Sequence, residues 1–133
     1  MNMVKQACRY PLPHESDTVY GEIVFNPKPA LREYDGMVIH IYLEDVSYAD
    51  AAARTIASTT IADFPQEVRT QARVPFVIRC AIPDHNRRYS LRVHADVDGD
   101  GKVSRGDYIT KTNYTVGKSG FPAQVEVQAE VVE

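Results

Sequence analysis

The strongest chemical signature in this chain lies between Asp96 and Asp107, in the run DVDGDGKVSRGD. Counting from Asp96, carboxylates stand at the first, third and fifth positions as Asp96, Asp98 and Asp100. Gly101 is sixth, Lys102 seventh with a carbonyl to offer, Val103 eighth, Ser104 ninth and Asp107 twelfth. This is the spacing of an acidic calcium loop, with Asp in place of the usual closing Glu. Calcium takes six to eight hard oxygens at roughly 2.3–2.6 Å, and alternate residues of a tight coil turn inward to supply them. Glycine at the sixth position allows a bend that a Cβ would oppose. Carboxylates held this close repel one another, by about 4 kcal/mol per pair at 4 Å and intermediate dielectric, and a divalent cation converts that repulsion into attraction. The expected metal ligands are therefore Asp96, Asp98, Asp100, Lys102 and Asp107, with calcium as the structural cofactor. Asp107 is shorter than Glu, which predicts a weak site. The competing readings are an Asp/Gly-rich turn that binds nothing, since these residues favour turns anyway, and a site for magnesium or another ion.

Other reactive side chains carry less. His40 and His94 fall on strand positions opposite the apolar rows and read as surface imidazoles. His85 lies in a turn, with no carboxylate or nucleophile placed beside it by the sequence. His14 belongs to the N-terminal stretch. No G-x-S-x-G or related local motif marks a nucleophile, so no catalytic residue is assigned and the chain reads as non-enzymatic. Arg87-Arg88 reads as a solvated strand entry. The Asn113-Tyr114-Thr115 sequon matters only in a glycosylating pathway.

The elements that must position the loop are strands. Met37, Ile39, Ile41 and Leu43 form one apolar row at period two, and Val74, Phe76, Ile78, Cys80 and Ile82 a second. Tyr89, Leu91, Val93, Ala95 and Val97 form a third, and Val125, Val127, Ala129 and Val131 a fourth. Weaker alternation covers Thr18–Phe25, Arg54–Ala62 and Tyr108–Val116. Turn residues separate these runs: Asn26–Pro29, Asp35-Gly36, Pro83–Asn86 and Gly117–Pro122. The fold class expected is all-β, a single antiparallel β-sandwich of about seven strands over residues 18–133. Residues 1–17 are expected to be a flexible tail, and Tyr48–Ala53 a crossover turn with some helical character. Strands flank the acidic loop on both sides, so its ion would clamp a hairpin rather than open a pair of helices.

Composition narrows the classes. The 133 residues carry 15 basic and 18 acidic side chains, a formal charge of -3 that gives no reason to expect nucleic acid or an anionic membrane surface. No stretch is apolar enough to span a bilayer, and the N-terminal residues do not read as a secretory signal. Ala7-Cys8 resembles the end of a lipoprotein cleavage site, but Lys5 and Gln6 stand where that site needs apolar or small residues. As read, the chain is soluble and unexported. A Cys8–Cys80 disulfide is compatible with the count, but a tail fixes its cysteine poorly, so Cys80 is expected to serve as a small buried hydrophobe.

Three stretches carry a family resemblance: Leu43–Ala51 (LEDVSYADA), Val74-Pro75-Phe76 and Arg88–Val97 (RYSLRVHADV). They resemble the YscW/YbaY family of small β-sandwich domains of bacterial envelope lipoproteins, some of them pilotins in type III secretion. The resemblance covers roughly Thr18 to Val131 and implies a non-catalytic protein-binding or chaperone-like module, periplasmic or envelope-associated. Without it, a cytoplasmic location is the alternative. Within the Leu43–Ala51 run, Asp45 or Ser47 is expected to bond nearby backbone in a turn. A second functional class, a carbohydrate- or small-ligand-binding sandwich, would use Tyr42 and Tyr20. A third, a hydrolase, would rest on His85. Oligomeric state and the identity of a protein partner are not encoded in any motif.

Overall fold

The computed structural model describes residues 3–8, 17–48, 52–82, 84–118 and 120–133. Their strands are β1 (Met3–Cys8), β2 (Thr18–Asn26), β3 (Val38–Asp45), β4 (Arg54–Ala62), β5 (Arg73–Arg79), β6 (Tyr89–Asp96), β7 (Tyr108–Ile109), β8 (Tyr114–Val116) and β9 (Ala123–Val131). One short helix, α1 (Gln66–Gln71), and a 3-10 turn at Leu31–Asp35 complete the elements. The all-β expectation holds, and the apolar rows face one core. Ile39, Ile41 and Leu43 of β3, Val74, Phe76 and Ile78 of β5, Leu91, Val93 and Ala95 of β6, and Val127 and Ala129 of β9 are all buried. Alternation therefore put the right side chains inside, because the strand period is fixed by backbone geometry.

The pairing is less regular than the expected antiparallel arrangement. Hydrogen bonds run through one continuous sheet in the order β1-β4-β3-β6-β7-β9-β2-β5, with β8 pairing β6 beside β7. Among the described residues the strands number nine rather than about seven, and the sheet is nearly closed on itself. Most pairs are antiparallel, but β2 and β9 run parallel, from Val19↔Ala123 to Asn26↔Glu130. Along that path β9 is the link between the β7 side and the β2–β5 pair. The parallel approach is very close at Gly21, opposite Val125, where an added Cβ would sit 1.7 Å from the Val125 carbonyl oxygen. A side chain there is sterically excluded unless the strands separate.

The tail expected over residues 1–17 is corrected for Met3–Cys8. These residues form β1, laddered antiparallel to β4 from Met3↔Ala62 to Cys8↔Ala57. The pairing needs only backbone groups on the free edge of β4, so it left no apolar period for sequence reasoning to find. Cys8 is bonded to Cys80 just beyond β5, with their Cα atoms 5.6 Å apart, which corrects the expectation of unbridged cysteines. The Gln6 side-chain amide bonds both backbone groups of Arg79 at the end of β5. Bridge and amide together draw the two ends of the sheet path toward each other. The Tyr48–Ala53 turn lies in part outside the described residues, while α1 forms where no helix was expected. Pro65 stands at its N-cap, and Ala72 ends it in the left-handed region, its N–H bonded to the Val68 carbonyl. Six residues carry too little helical periodicity to be recognised from sequence.

Candidate metal loop and its surroundings

Two of the acidic side chains are fixed by strands and two by the loop itself. Asp96 is the last residue of β6 and Asp107 the residue before β7, which pair as His94↔Ile109 and Ala95↔Tyr108. The loop therefore tips a β-hairpin with no flanking helix, as its strand-like neighbours implied. The Gly106 N–H donates to the Val132 carbonyl and the Val132 N–H to the Asp107 carbonyl, fastening the second arm to the end of β9. Gly99, Gly101 and Gly106 all have positive φ, and Gly101, at +82°, makes the expected sharp bend at the sixth position.

The carboxylates converge. One oxygen from each of Asp96, Asp98, Asp100 and Asp107 lies within 4.8 Å of the other three. Ligand oxygens on opposite sides of a calcium ion at its usual bond lengths are about 5 Å apart, so the group has the span of one coordination sphere. Asp96 and Asp107 are buried, whereas Asp98 and Asp100 are exposed at the tip. Lys102 is exposed, its backbone N–H donating to Asp100 Oδ1 at 2.9 Å. Val103, the apolar eighth residue, is 56% exposed and packs no core.

The same carboxylates also build the loop. Asp96 Oδ1 accepts from the Gly99 N–H at 3.0 Å and Oδ2 from the Gly101 N–H at 2.7 Å. Asp98 Oδ1 accepts from the Asp100 N–H at 3.4 Å. Asp107 is the most committed: Oδ1 accepts from the Val97 N–H at 3.0 Å, while Oδ2 meets the Ser104 N–H at 3.1 Å and His94 Nε2 at 2.8 Å. A carboxylate has about four lone-pair directions. Asp96, Asp98 and Asp100 retain free ones, but Asp107 is nearly saturated.

His94 is thereby corrected from surface imidazole to buried partner of the loop, 8% exposed at its side chain. It points away from the core row as expected, but the returning arm of the hairpin covers that face. His40, its cross-strand neighbour, stacks on it with ring centroids 5.9 Å apart. Burial, and next the adjacent His94, hold the His40 pKa below 6.5. Farther along the same face the Arg92 guanidinium lies 4.2 Å from the Tyr42 ring centre and bonds both oxygens of Glu44. Tyr42 is thus covered, and Tyr20 lies on β2, which does not neighbour β3 in the sheet. The two tyrosines do not form a common ligand platform.

A second cluster sits where β3 ends. Asp45 Oδ1 accepts from the Ser47 N–H at 3.0 Å and Oδ2 from Arg87 Nη1 at 2.8 Å, while Ser47 Oγ accepts from the Arg88 N–H at 2.9 Å. The turn-bonding role expected of Asp45 and Ser47 is present, but Arg87-Arg88 is more than a solvated strand entry. Burial works to raise the Asp45 pKa, and the hydrogen bonds from Arg87 and Ser47 outweigh it and hold the pKa below the usual carboxylate value. His85, placed by sequence beside no carboxylate, lies 2.9 Å from Asp17 Oδ1 through Nε2.

Among the described residues, no helix is long and apolar enough to cross a membrane. The family model for the type III secretion system lipoprotein chaperone YscW matches residues 14–128. Among solved structures, an alternative pilotin from the type II secretion system of Vibrio cholerae is similar at a TM-score of 0.64 and 27% identity. That likeness covers 87% of this chain and 96% of the other. No curated protein matches.

Proposed function

Because the chain belongs to the YscW family of type III secretion system lipoprotein chaperones, we propose that it is a non-enzymatic, envelope-associated module that binds and escorts a protein component of a secretion system. The family match over residues 14–128 carries this reading. The likeness to a pilotin over 87% of the chain supports it, and so does a disulfide, which persists in oxidising compartments and is rare in the cytosol. With its sulfur bonded to Cys80, Cys8 is not available for acylation, so any lipid would attach elsewhere. Deleting the gene should lower the amount of a secretion-system component in the envelope fraction, and a plasmid copy should restore it. Unchanged envelope levels of every such component in the deletion strain would refute the escort role.

Within this module the acidic loop is a structural calcium site. Asp96, Asp98 and Asp100 supply carboxylate oxygens and Lys102 its carbonyl, while Asp107 holds the loop shut through Val97, Ser104 and His94. The mutual 4.8 Å span of the carboxylate oxygens supports this assignment. Calcium would then raise the melting temperature over that in chelator, saturating as a single site, with about 2.7 kcal/mol gained at a hundredfold excess over Kd. Asp98→Ala should remove the calcium-dependent increment and leave the metal-free melting temperature near wild type, since Asp98 makes one long hydrogen bond in the loop. An equal calcium response in wild type and variant would rule out the site.

A further inference from the structure

β5 ends the sheet path and is paired on one side only, to β2. We propose that its free edge takes up an extended segment of a partner protein as an added strand, one carrying an acidic residue two positions from an apolar one.

The edge can be read group by group. The Cys80 N–H donates to the Asp17 carbonyl on the β2 side, while the N–H and C=O of Arg79 both bond the Gln6 side-chain amide. Backbone groups alternate sides along a strand, so Val74, Phe76 and Ile78 face β2, and Arg73, Pro75 and Val77 turn theirs outward. Among the described residues no strand pairs with that edge. Val77 therefore offers both an N–H and a carbonyl, and Pro75, which has no N–H, its carbonyl alone. Gln6 shows the chemistry the edge accepts. Its one amide gives Arg79 an acceptor and a donor, as the backbone of an added strand would. The seam is fastened there and at Cys8–Cys80, and no ladder between β1 and β5 carries it on toward Arg73.

The side chains along the edge set the composition of the segment. Val77 is 42% exposed and Tyr20, its cross-strand partner, 39%, with Pro75 exposed nearby. An added strand would place a side chain beside Val77, in the same row as Tyr20, where an apolar residue packs. Two residues along that face stands Arg79, exposed and outside the ion pairs of the described residues, whereas Arg73 is matched by Glu22 and Glu126. The spare guanidinium calls for a carboxylate two residues from the apolar side chain. A second copy of this chain suits the edge poorly. Two β5 edges would meet with Pro75 lacking a donor and both groups of Arg79 already held by Gln6. That the occupant belongs to the escorted protein rests on the function proposed above; the pairing capacity of the edge does not.

The test is an NMR titration of the oxidised chain with the blocked heptapeptide Thr-Val-Thr-Val-Thr-Glu-Thr. Saturable shifts should centre on Val77 and Arg79, with slowed exchange of the Val77 amide. Replacing the peptide's Glu by Gln, or Arg79→Met in the protein, should weaken binding several-fold. Two N-methylated peptides test for strand pairing. Methylating one alternate set of nitrogens should weaken binding roughly tenfold, and methylating the other should leave it within a few-fold. Absence of saturable shifts overturns the proposal, as does an equal response to both methylated peptides. Inside the deletion strain, Val77→Thr should restore the envelope component and Val77→Pro, which removes the edge donor, should not. Full rescue by Val77→Pro overturns the edge as the docking surface and leaves the escort role standing. Unchanged component levels in the deletion strain refute the escort role, and the peptide titration still decides the edge.

Discussion

Reducing the Cys8–Cys80 bridge should destabilise this chain more than any single core truncation of moderate size. The bridge spans a sequence separation of 72 residues. In the chain-entropy treatment, a loop of that length withholds about 15 cal/mol/K from the unfolded ensemble, or roughly 4 kcal/mol at 25 °C. The native structure should change little, because β1 keeps its ladder to β4 and Gln6 its bonds to Arg79. With a urea m-value of about 1–3 kcal/mol/M, the midpoint should fall by roughly 1.5–4 M. Urea melts with and without a phosphine reductant provide the measurement, and Cys8→Ala under oxidising conditions is the matching variant. Hydrogen exchange adds a local readout: β1 amides should lose more protection than those of β3 or β6. A loss below about 1 kcal/mol would refute the reasoning, since it would mean that the unfolded chain gains little freedom when the bridge is cut.

Other outcomes follow from single side chains. Tyr34 is 1% exposed, its hydroxyl has no hydrogen-bond partner among the described residues, and burial, then Tyr108, push its pKa up to about 12. Leaving such a group unpaired costs about 1–3 kcal/mol, so Tyr34→Phe should leave the melting temperature unchanged or raise it. A clear fall would show that the hydroxyl has a partner in solution. Gly21→Ala should destabilise by several kcal/mol or prevent folding, because its Cβ meets the Val125 carbonyl oxygen; native-like dispersion and stability of that variant by NMR and melting would contradict the close approach. Asp45 has a depressed pKa in the folded state, so its contribution is fully present above the unfolded carboxylate value near 4 and lost as pH falls through the lower folded value. Asp45→Asn should therefore flatten the acid limb of stability against pH, and an identical limb in both proteins would exclude this pair as a source of acid sensitivity.

The core was legible because burial follows a period of two, most cleanly along β5, whereas the end of β3 breaks the rule where Arg92 and Arg87 cover Glu44 and Asp45. The same rule misplaced His94. Alternation identifies which face a side chain occupies but not what later folds over that face, and here the arm carrying Asp107 returns across it. β1 was invisible for a related reason: an edge strand recruited by backbone pairing and one disulfide leaves no apolar row in MVKQAC. The parallel contact of β2 with β9 joins segments about a hundred residues apart, and no local pattern encodes strand order. In the acidic loop, spacing located all four carboxylates. It did not reveal that Asp107 would spend its lone pairs on Val97, Ser104 and His94, because those donors are assembled only when the hairpin closes.

The position of β9 also bears on when this chain can fold. Emerging last of the described strands, it must insert between β7 and β2 before the sheet is continuous. Until then the β6–β7 side and the β2–β5 pair have no shared edge, so a nascent chain holds two incomplete fragments rather than a folded domain. Pairing over such sequence distances is slow. A sheet that closes only with its final strand is expected to form after that strand is free, with the Cys8–Cys80 bond then fastening the β1 and β5 ends to each other.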